Sequence, residues 1–327
     1  MLQDISPSLQ AHRSVKLIRD LGQLPEQLRH GAVSIGNFDG VHQGHAKILR
    51  RLVAEARRLG RSAVVFTFEP SPAQVLRPDR APPPLSWLDR KVQLITALGV
   101  DAVIAYSTTE SFLRLEPRQF FEQVVRGTLA ARALVEGPNF FFGHNRHGDV
   151  ESLGEFCREV GVFMEVVPPV VLDGQMVSSS RVRTLVRQGQ MDVVRRMLTA
   201  PYRIHGRVMH GAGRGRQLGF PTANLGAVDT LLPAEGIYAG RAYVDGQSWP
   251  AAISLGPNPT FDEGSLKVEI HLLGFSGNLY ERELEVDFLS RLRDIKRFQS
   301  VGELLAQMDQ DMKATRNIAV ATDVQGA

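Results

Sequence analysis

The chain is poor in cysteine: Cys157 stands alone among 327 residues. A lone thiol excludes an intramolecular disulfide and any cluster of cysteine metal ligands, and it fits a reducing compartment. No uninterrupted apolar stretch approaches the ~20 residues that a membrane-spanning helix needs. Met1 to Lys16 contain no apolar core of a secretory signal. The expectation is therefore a cytoplasmic protein with no membrane partner. An excess of one charge is missing as well. The 38 basic residues face 35 acidic ones, for a formal net charge of +3. That balance gives no broad basic footprint for nucleic acid, and no nucleic-acid partner is expected. Internal repeats and low-complexity tracts are absent too. What remains is ordinary globular material, 43% hydrophobic and 22% charged. The length suits two domains of unequal size.

Periodicity divides the chain. Short apolar runs at Ala32 to Ile35, Ala63 to Phe68, Val100 to Tyr106, Ala133 to Glu136 and Val162 to Val167 read as buried strands. Between and around them, His45 to Leu59, Asp89 to Leu98, Pro117 to Leu129 and Val150 to Val160 carry helical spacing. Strands alternating with helices predict right-handed βαβ units and a mostly parallel sheet. Helical segments from Arg181 to Leu198 close this half. After Pro201 come Tyr202 to Met209, Gly236 to Val244, Trp249 to Leu255, Leu266 to Leu273 and Glu283 to Leu289, strands without intervening helices. In Glu283 to Leu289 the residues Leu284, Val286 and Phe288 alternate with Glu283, Glu285 and Asp287, a half-buried antiparallel signature. Such a run predicts a small barrel or sandwich. A closing amphipathic helix is expected over Val301 to Met312. The boundary falls within 186–200, giving domains 1–186 and 187–327.

The segment Gly36-Asn37-Phe38-Asp39-Gly40-Val41-His42-Gln43-Gly44-His45 joins the first expected strand to the first helix. Ligands of open α/β sheets bind at the carboxyl ends of strands. Glycines there admit a phosphate to the backbone, and a helix start offers free N–H groups. His42 and His45 can donate to phosphate oxygens that gain charge as pyrophosphate departs. An isolated His-x-Gly-His could be a surface loop; the flanking strand and helix favour nucleotidyl transfer. Val177-Ser178-Ser179-Ser180-Arg181-Val182-Arg183 opens a later helix, with Ser179 or Ser180 suited to cap it. Taken alone it reads more readily as an ordinary cap with surface arginines.

In the second half, Gly211-Ala212-Gly213-Arg214-Gly215-Arg216-Gln217-Leu218-Gly219-Phe220-Pro221-Thr222-Ala223-Asn224 is not a P-loop. Its glycines fit a loop that covers phosphates and a hairpin tip equally well. Thr222 and Asn224 add oxygen ligands for a hard cation and a phosphate. Leu266, Val268, Ile270 and Leu272 share one strand face, which leaves Glu269 and His271 on the other. Glu269 could take a proton from an attacking hydroxyl or simply be solvated.

Together these motifs resemble the bifunctional riboflavin kinase/FAD synthetase family. The Gly-x-Phe-Asp-Gly-x-His-x-Gly-His segment and the Ser-Ser-Ser-Arg-x-Arg helix are similar to its adenylyltransferase module. So are Gly137-Pro138-Asn139-Phe140-Phe141-Phe142-Gly143 and Arg146-His147-Gly148-Asp149. The run through Gly219-Phe220-Pro221-Thr222-Ala223-Asn224 resembles its kinase module. Pro233 to Tyr238, Leu255-Gly256-Pro257-Asn258-Pro259-Thr260-Phe261, Val268-Glu269-Ile270-His271-Leu272, Leu292-Arg293 and Phe298 follow in that module's order. The resemblance implies a Rossmann-like domain followed by a riboflavin-kinase-like antiparallel β-barrel. It implies that riboflavin is phosphorylated to FMN and FMN adenylylated to FAD, with ATP as substrate and Mg²⁺ as cofactor. By the same token, His42 and His45 assist pyrophosphate departure, and Gly36, Phe38, Asp39, Gly44, Ser179, Ser180 and Arg183 hold ATP. Asn139, Phe140, Phe142 and Arg293 contact flavin. Gly219, Pro221, Thr222 and Asn224 hold the kinase nucleotide, Thr222 and Asn224 also its metal, and Glu269 is the base. Two positions depart from the family pattern: Ser71, where a histidine is frequent, and Phe141, where a polar or basic residue is common. Oligomeric state is not written in the sequence, and a homo-oligomer is allowed.

Overall fold

The computed structural model describes residues 16–211, 215, 219–258 and 263–326. They form two compact units that interleave along the chain. One gathers residues 16–37, 47–80 and 95–168, the other residues 38–46, 81–94 and 169 onward.

The first unit is built on a six-stranded, all-parallel sheet. Its strands are β1 (Lys16–Ile18), β2 (Ala32–Ile35), β3 (Ala63–Phe68), β4 (Ala102–Tyr106), β5 (Ala133–Glu136) and β6 (Phe163–Val166), in the order β1-β4-β3-β2-β5-β6. The expected parallel sheet is present. The edge strand β1 adds to it, pairing Lys16 with Ala102; three residues are too few to show a period. From β2 the chain winds one way to β3 and β4, and later the other way to β5 and β6. The switch point therefore lies between β2 and β5, where open sheets bind ligands. Val33, Ile35, Val64, Phe66, Ile104 and Leu134 form the core with Phe121, Val125 and Leu153. Along this stretch of chain lie the helices α1 (Gln43–Arg58), α2 (Pro72–Leu76), α3 (Leu88–Thr96), α4 (Glu110–Leu113), α5 (Pro117–Phe120) and α6 (Val150–Val160), the first turn of α1 and most of α3 belonging to the second unit. The helix expected over Pro117 to Leu129 continues past α5 as a wide π-turn segment, Phe121–Thr128. There the Leu129 N–H reaches the Val124 carbonyl, five residues back.

The second unit holds a short hairpin of β7 (Val171–Leu172) and β8 (Gln175–Met176), then α7 (Ser179–Arg187) and α8 (Met191–Met197). A closed barrel follows, made of β9 (Tyr202–Met209), β10 (Ala223–Gly226), β11 (Gly236–Val244), β12 (Gln247–Asn258), β13 (Glu263–Leu272) and β14 (Glu283–Arg293). All its pairings are antiparallel. The expected choice between barrel and sandwich resolves as a barrel. It closes through β10, a four-residue strand hidden in the sequence behind the Pro-Thr-Ala-Asn motif. Tyr202, Ile204, Ala223, Tyr238, Ile253, Ile270, Val286 and Phe288 fill the interior. At Gly240 a Cβ would stand 2.3 Å from the Asp287 carbonyl oxygen, and the β11–β14 register shifts at that residue.

Two expectations on these strands are corrected. Leu266 does not share the buried face: it is 55% exposed. The β12–β13 register shift between Gly256 and Asn258 lies beside it and ends the inward alternation there. Asp287 is not a solvated outer residue but buried. Arg203 covers it with bonds of 2.5 and 2.9 Å and lies 3.8 Å from the Tyr243 ring centroid. The closing helix α9 (Val301–Gly326) runs past its expected end at Met312. Asp311, Thr315 and Ala319 are buried beyond or near that point, and Arg241 donates to the Ala319 carbonyl.

Candidate active sites

The first site grows from the end of β2. Three side and main chains pin the strand's exit. Glu136 accepts from the Ile35 N–H at 2.7 Å, the Phe66 carbonyl from the Gly36 N–H at 3.0 Å, and Thr67 donates to the Asn37 carbonyl at 3.2 Å. Glu136 is fully buried, and burial pushes its pKa well above the ordinary value, against the opposing effect of the Ile35 N–H.

Beyond Asn37 the backbone turns left-handed at Phe38 (φ 46°), Gly40 (φ 76°) and Val41 (φ 39°). A β-branched residue at positive φ is strained and persists only where its surroundings insist. They do. Thr199 donates to the Val41 carbonyl at 2.8 Å, and the Gly40 N–H donates to Ser86 Oγ at 3.2 Å. The Asp39 carboxylate accepts from the N–H groups of Leu85 and Ser86 at 3.0 and 3.1 Å, and from the Arg183 guanidinium. Ser179 Oγ donates to the Asp39 carbonyl at 3.0 Å. Thus Phe38, Asp39, His42, Gly44, His45, Ser179 and Arg183, distant in sequence, share one small region. Ser180 is exposed on the next position. The cap of α7 is Ser178, not Ser179 or Ser180. Ser178 is extended (φ −151°) and accepts from the Arg181 N–H, which frees the Ser179 hydroxyl for Asp39.

His42 and His45 are stacked, their centroids 3.6 Å apart and their planes at 15°. Gly44 permits this, since a Cβ there would meet the His42 ring at 3.0 Å. His42 Nδ1 accepts the helix-start N–H of His45 at 3.2 Å. Neutral His42 therefore carries its proton on Nε2. Burial brings the His42 pKa down to about 4. Burial, then the charges of His42 and Lys91, hold His45 well below its usual range. Both rings are neutral near pH 7, and His45 Nδ1 is buried with no hydrogen-bond partner. The spacing of the histidines was legible in the sequence; their stacking and neutrality were not.

The loop after β5 belongs to the first unit. Asn139 is exposed. Phe142 is buried, packs in the core, and exchanges two 2.9 Å backbone bonds with Gly148. Phe140 stacks on it at 5.5 Å. Phe141 is the ring most exposed, with the Arg146 guanidinium 4.6 Å from its centroid. Ser71 has a structural role, capping α2 in a reciprocal box with Gln74.

The second site lies on the outside of the barrel. Asn224 on β10 is directly opposite Glu269 on β13, which is opposite Ser254 on β12. Side chains in direct register share a face, so an amide, a carboxylate and a hydroxyl stand in one row. Pro221 and Thr222 lead into β10, and His271 Nδ1 donates to the Pro221 carbonyl at 2.8 Å. Gly219 is left-handed (φ 85°). At Gly211 a Cβ would stand 2.2 Å from Asn224 Nδ2, so the glycine loop begins packed on that amide. Residues 212–214 and 216–218 of the loop, and Pro259, Thr260 and Phe261, lie outside the described residues. Arg293 is engaged with Asp311 of α9 at 2.7 Å. Among the described residues no group of three or more His, Cys, Asp or Glu could hold a metal. The Thr222 and Asn224 oxygens suit a hard cation that takes its other ligands from phosphates and water.

Sequence reasoning missed Ser254, the Leu85–Ser86 N–H pair and Lys91. For Lys91 a signal existed: it stands four residues before Ile95 on the buried face of α3, and both are buried. Among the described residues no helix is long and apolar enough to cross a membrane.

Comparison with known proteins gives two family matches, FAD synthetase over residues 24–181 and riboflavin kinase over residues 198–319. A bifunctional riboflavin kinase/FMN adenylyltransferase of Pseudomonas fluorescens is 37% identical, over 93% of this chain and 98% of its own length. Its Escherichia coli K12 counterpart is 33% identical, over 92% and 97%. A solved Streptococcus pneumoniae structure, described as a macrolide-efflux protein, is 29% identical with a TM-score of 0.82, over 93% of this chain and 99% of its own.

Proposed function

The chain belongs to the bifunctional riboflavin kinase/FMN adenylyltransferase family, and from that premise we propose how its residues divide the two reactions. It is an enzyme that phosphorylates riboflavin to FMN and adenylylates FMN to FAD, with ATP as the donor. The proposed division of labour follows the expected boundary, adenylylation in 1–186 and phosphorylation in 187–327. A cytoplasmic location is part of the same proposal.

In the kinase reaction the terminal ribityl hydroxyl attacks the γ-phosphorus. A neutral alcohol gains from a base, and Glu269 takes the proton. Thr222 and Asn224, with Gly219 and Pro221 shaping the loop, hold the ATP phosphates and Mg²⁺. When bound, that ion neutralises phosphate charge. The row Asn224–Glu269–Ser254 is the observation that carries this reading. Arg293 orients flavin from β14.

In the adenylyl reaction the FMN phosphate attacks the α-phosphorus and pyrophosphate leaves. The nucleophile is already an anion, so alignment and charge stabilisation suffice. Neutral His42 and His45 serve as donors to the departing oxygens. Gly36, Phe38, Asp39, Gly44, Ser179, Ser180 and Arg183 shape and hold the nucleotide end. Asp39 and Pro83 occupy two of the five guanidinium donors of Arg183. Asn139, Phe140 and Phe142 belong to the flavin side.

Glu269→Gln should lower FMN formation from riboflavin by about 10²-fold or more and spare FAD formation from supplied FMN. His45→Ala should do the reverse. Chromatographic separation of the three flavins over time reads both. Loss of both activities from either change, in a folded protein, would overturn the two-site assignment.

A further inference from the structure

The turn that carries His42 and His45 into α1 holds an uncommon backbone conformation. Phe38, Gly40 and Val41 all have positive φ, and a residue with a side chain keeps such angles only where its neighbours hold it. One neighbour is the chain from Ala81 to Trp87. It contains Pro82-Pro83-Pro84, residues that offer carbonyls and no N–H donors. Two of those carbonyls are taken. Arg183 Nε donates to Pro83 at 3.0 Å, and the Leu231 N–H donates to Pro84 at 2.9 Å. A strap stiff by composition and held at two points therefore delivers Leu85 and Ser86 to the loop.

Leu85 meets the loop by shape. A Cβ at Gly40 would stand 3.0 Å from Leu85 Cδ1 and 3.1 Å from its Cβ. Ser86 meets it by hydrogen bonds. It is 5% exposed. Its hydroxyl accepts from the Gly40 N–H at 3.2 Å and donates to Asp39 Oδ1 at 3.3 Å. Its own N–H reaches the same Oδ1 at 3.1 Å. A buried hydroxyl needs a donor and an acceptor, and this one finds both on consecutive residues of the turn. The other carboxylate oxygen of Asp39 receives Arg183. Ser86 thus fixes the backbone two residues ahead of His42, and with it the orientation of the acid that holds Arg183.

We propose that Ser86 is a positioning residue for adenylyl transfer: its hydroxyl locks the left-handed turn so that the His42–His45 pair and Arg183 meet the nucleotide in one arrangement. The inference rests on reading the His42–His45 loop as the adenylyl site. The hydroxyl is occupied by the loop, so it acts through Asp39 and Gly40 and not on a reacting atom. Without it the buried Gly40 N–H loses its acceptor, Asp39 loses a donor, and the turn relaxes towards less strained angles. Misplacing a reacting group by an ångström costs about 10²-fold in rate, so even a smaller slip of the loop is measurable.

The test uses the full chain carrying Ser86→Ala, with Ser86→Thr and His45→Ala in parallel, each assayed well below its melting temperature. FAD formation from supplied FMN is measured against both substrates, and riboflavin phosphorylation is the folding control. Ser86→Ala should lower kcat for FAD formation by about tenfold or more. The FMN KM should stay within about twofold of the parent, and FMN formation should be unchanged. Ser86→Thr keeps the hydroxyl and should recover most of the loss. The imidazole proton signals of His42 and His45, shifted in the parent by the stacked rings, should move in Ser86→Ala and return in Ser86→Thr. A kcat within about twofold of the parent would overturn the proposal. So would an equal loss of both activities, which marks a residue needed only for folding. If His45→Ala is impaired and Ser86→Ala is not, Ser86 alone is wrongly assigned. If neither is impaired, the reading of the site falls and the proposal with it. Should Ser86→Ala fail to fold, Ser86→Cys, close in size and weak in hydrogen bonding, carries the same expectations, and parent-level kcat in that variant overturns the proposal.

Discussion

Glu136 sits in an environment that its chemistry disfavours. It ends β5, is 2% exposed, and holds the last N–H of β2. Burial raises its pKa well above 4.5, so the protein keeps a proton there that the unfolded chain releases. Stability is then greatest at or below the unfolded pKa and declines as pH rises towards the folded one. Glu136→Gln keeps the acceptor for Ile35 and removes the ionisation. It should raise Tm by a few degrees near pH 8, with the gain shrinking towards about pH 4.5. Thermal melts across that range measure it. An equal shift at every pH would instead mean altered packing. In the sequence Glu136 was simply the polar end of a strand; only the neighbouring strand reveals it as a buried acid.

At the scale of elements, the join between β2 and α1 is where the proposed adenylyl chemistry is centred. Gly44 is the hinge of that join, because its missing Cβ leaves room for the His42 ring. Gly44→Ala should push that ring from its partner and lower FAD formation by about tenfold, while FMN formation holds. The flavin time course separates these outcomes. Further along, α7 is capped by Ser178. Ser178→Ala should cost about 1 kcal/mol, read in denaturant melts, with the Ser179 contact to Asp39 left in place. The long elements were legible because burial writes a period into them: the core strands Ala32–Ile35, Ala63–Phe68 and Ala133–Glu136 agree with their expected bounds. The short ones, β1, β10 and the β7–β8 hairpin, are too brief for a period. The Ser178 cap was misplaced because three consecutive serines are equivalent until backbone angles separate them.

For the whole molecule, the motifs were readable but their grouping was not. The sequence order suggests a cut near residue 186, whereas contacts place residues 38–46 and 81–94 in the unit that also holds α7, α8 and the barrel. Gln43 donates to the Leu198 carbonyl at 2.9 Å, His42 bridges to Leu198, and Thr199 holds Val41. A fragment ending at residue 186 lacks all three. It should form FAD from FMN about tenfold less well than the full chain, and assays of the two at equal concentration check this. The pattern was invisible beforehand because nothing in local periodicity links a loop at residue 42 to residue 198.

This interleaving bears on how such a chain can change over generations. A gene broken between its two recognisable modules would hand the first half a nucleotide loop stripped of its supports. Lineages that separate the two activities onto different polypeptides would need substitutions around Val41, His42 and Gln43 before the break could be inherited without loss. The linker is the easy place to cut the gene, yet the residues that hold Val41, His42 and Gln43 lie beyond it.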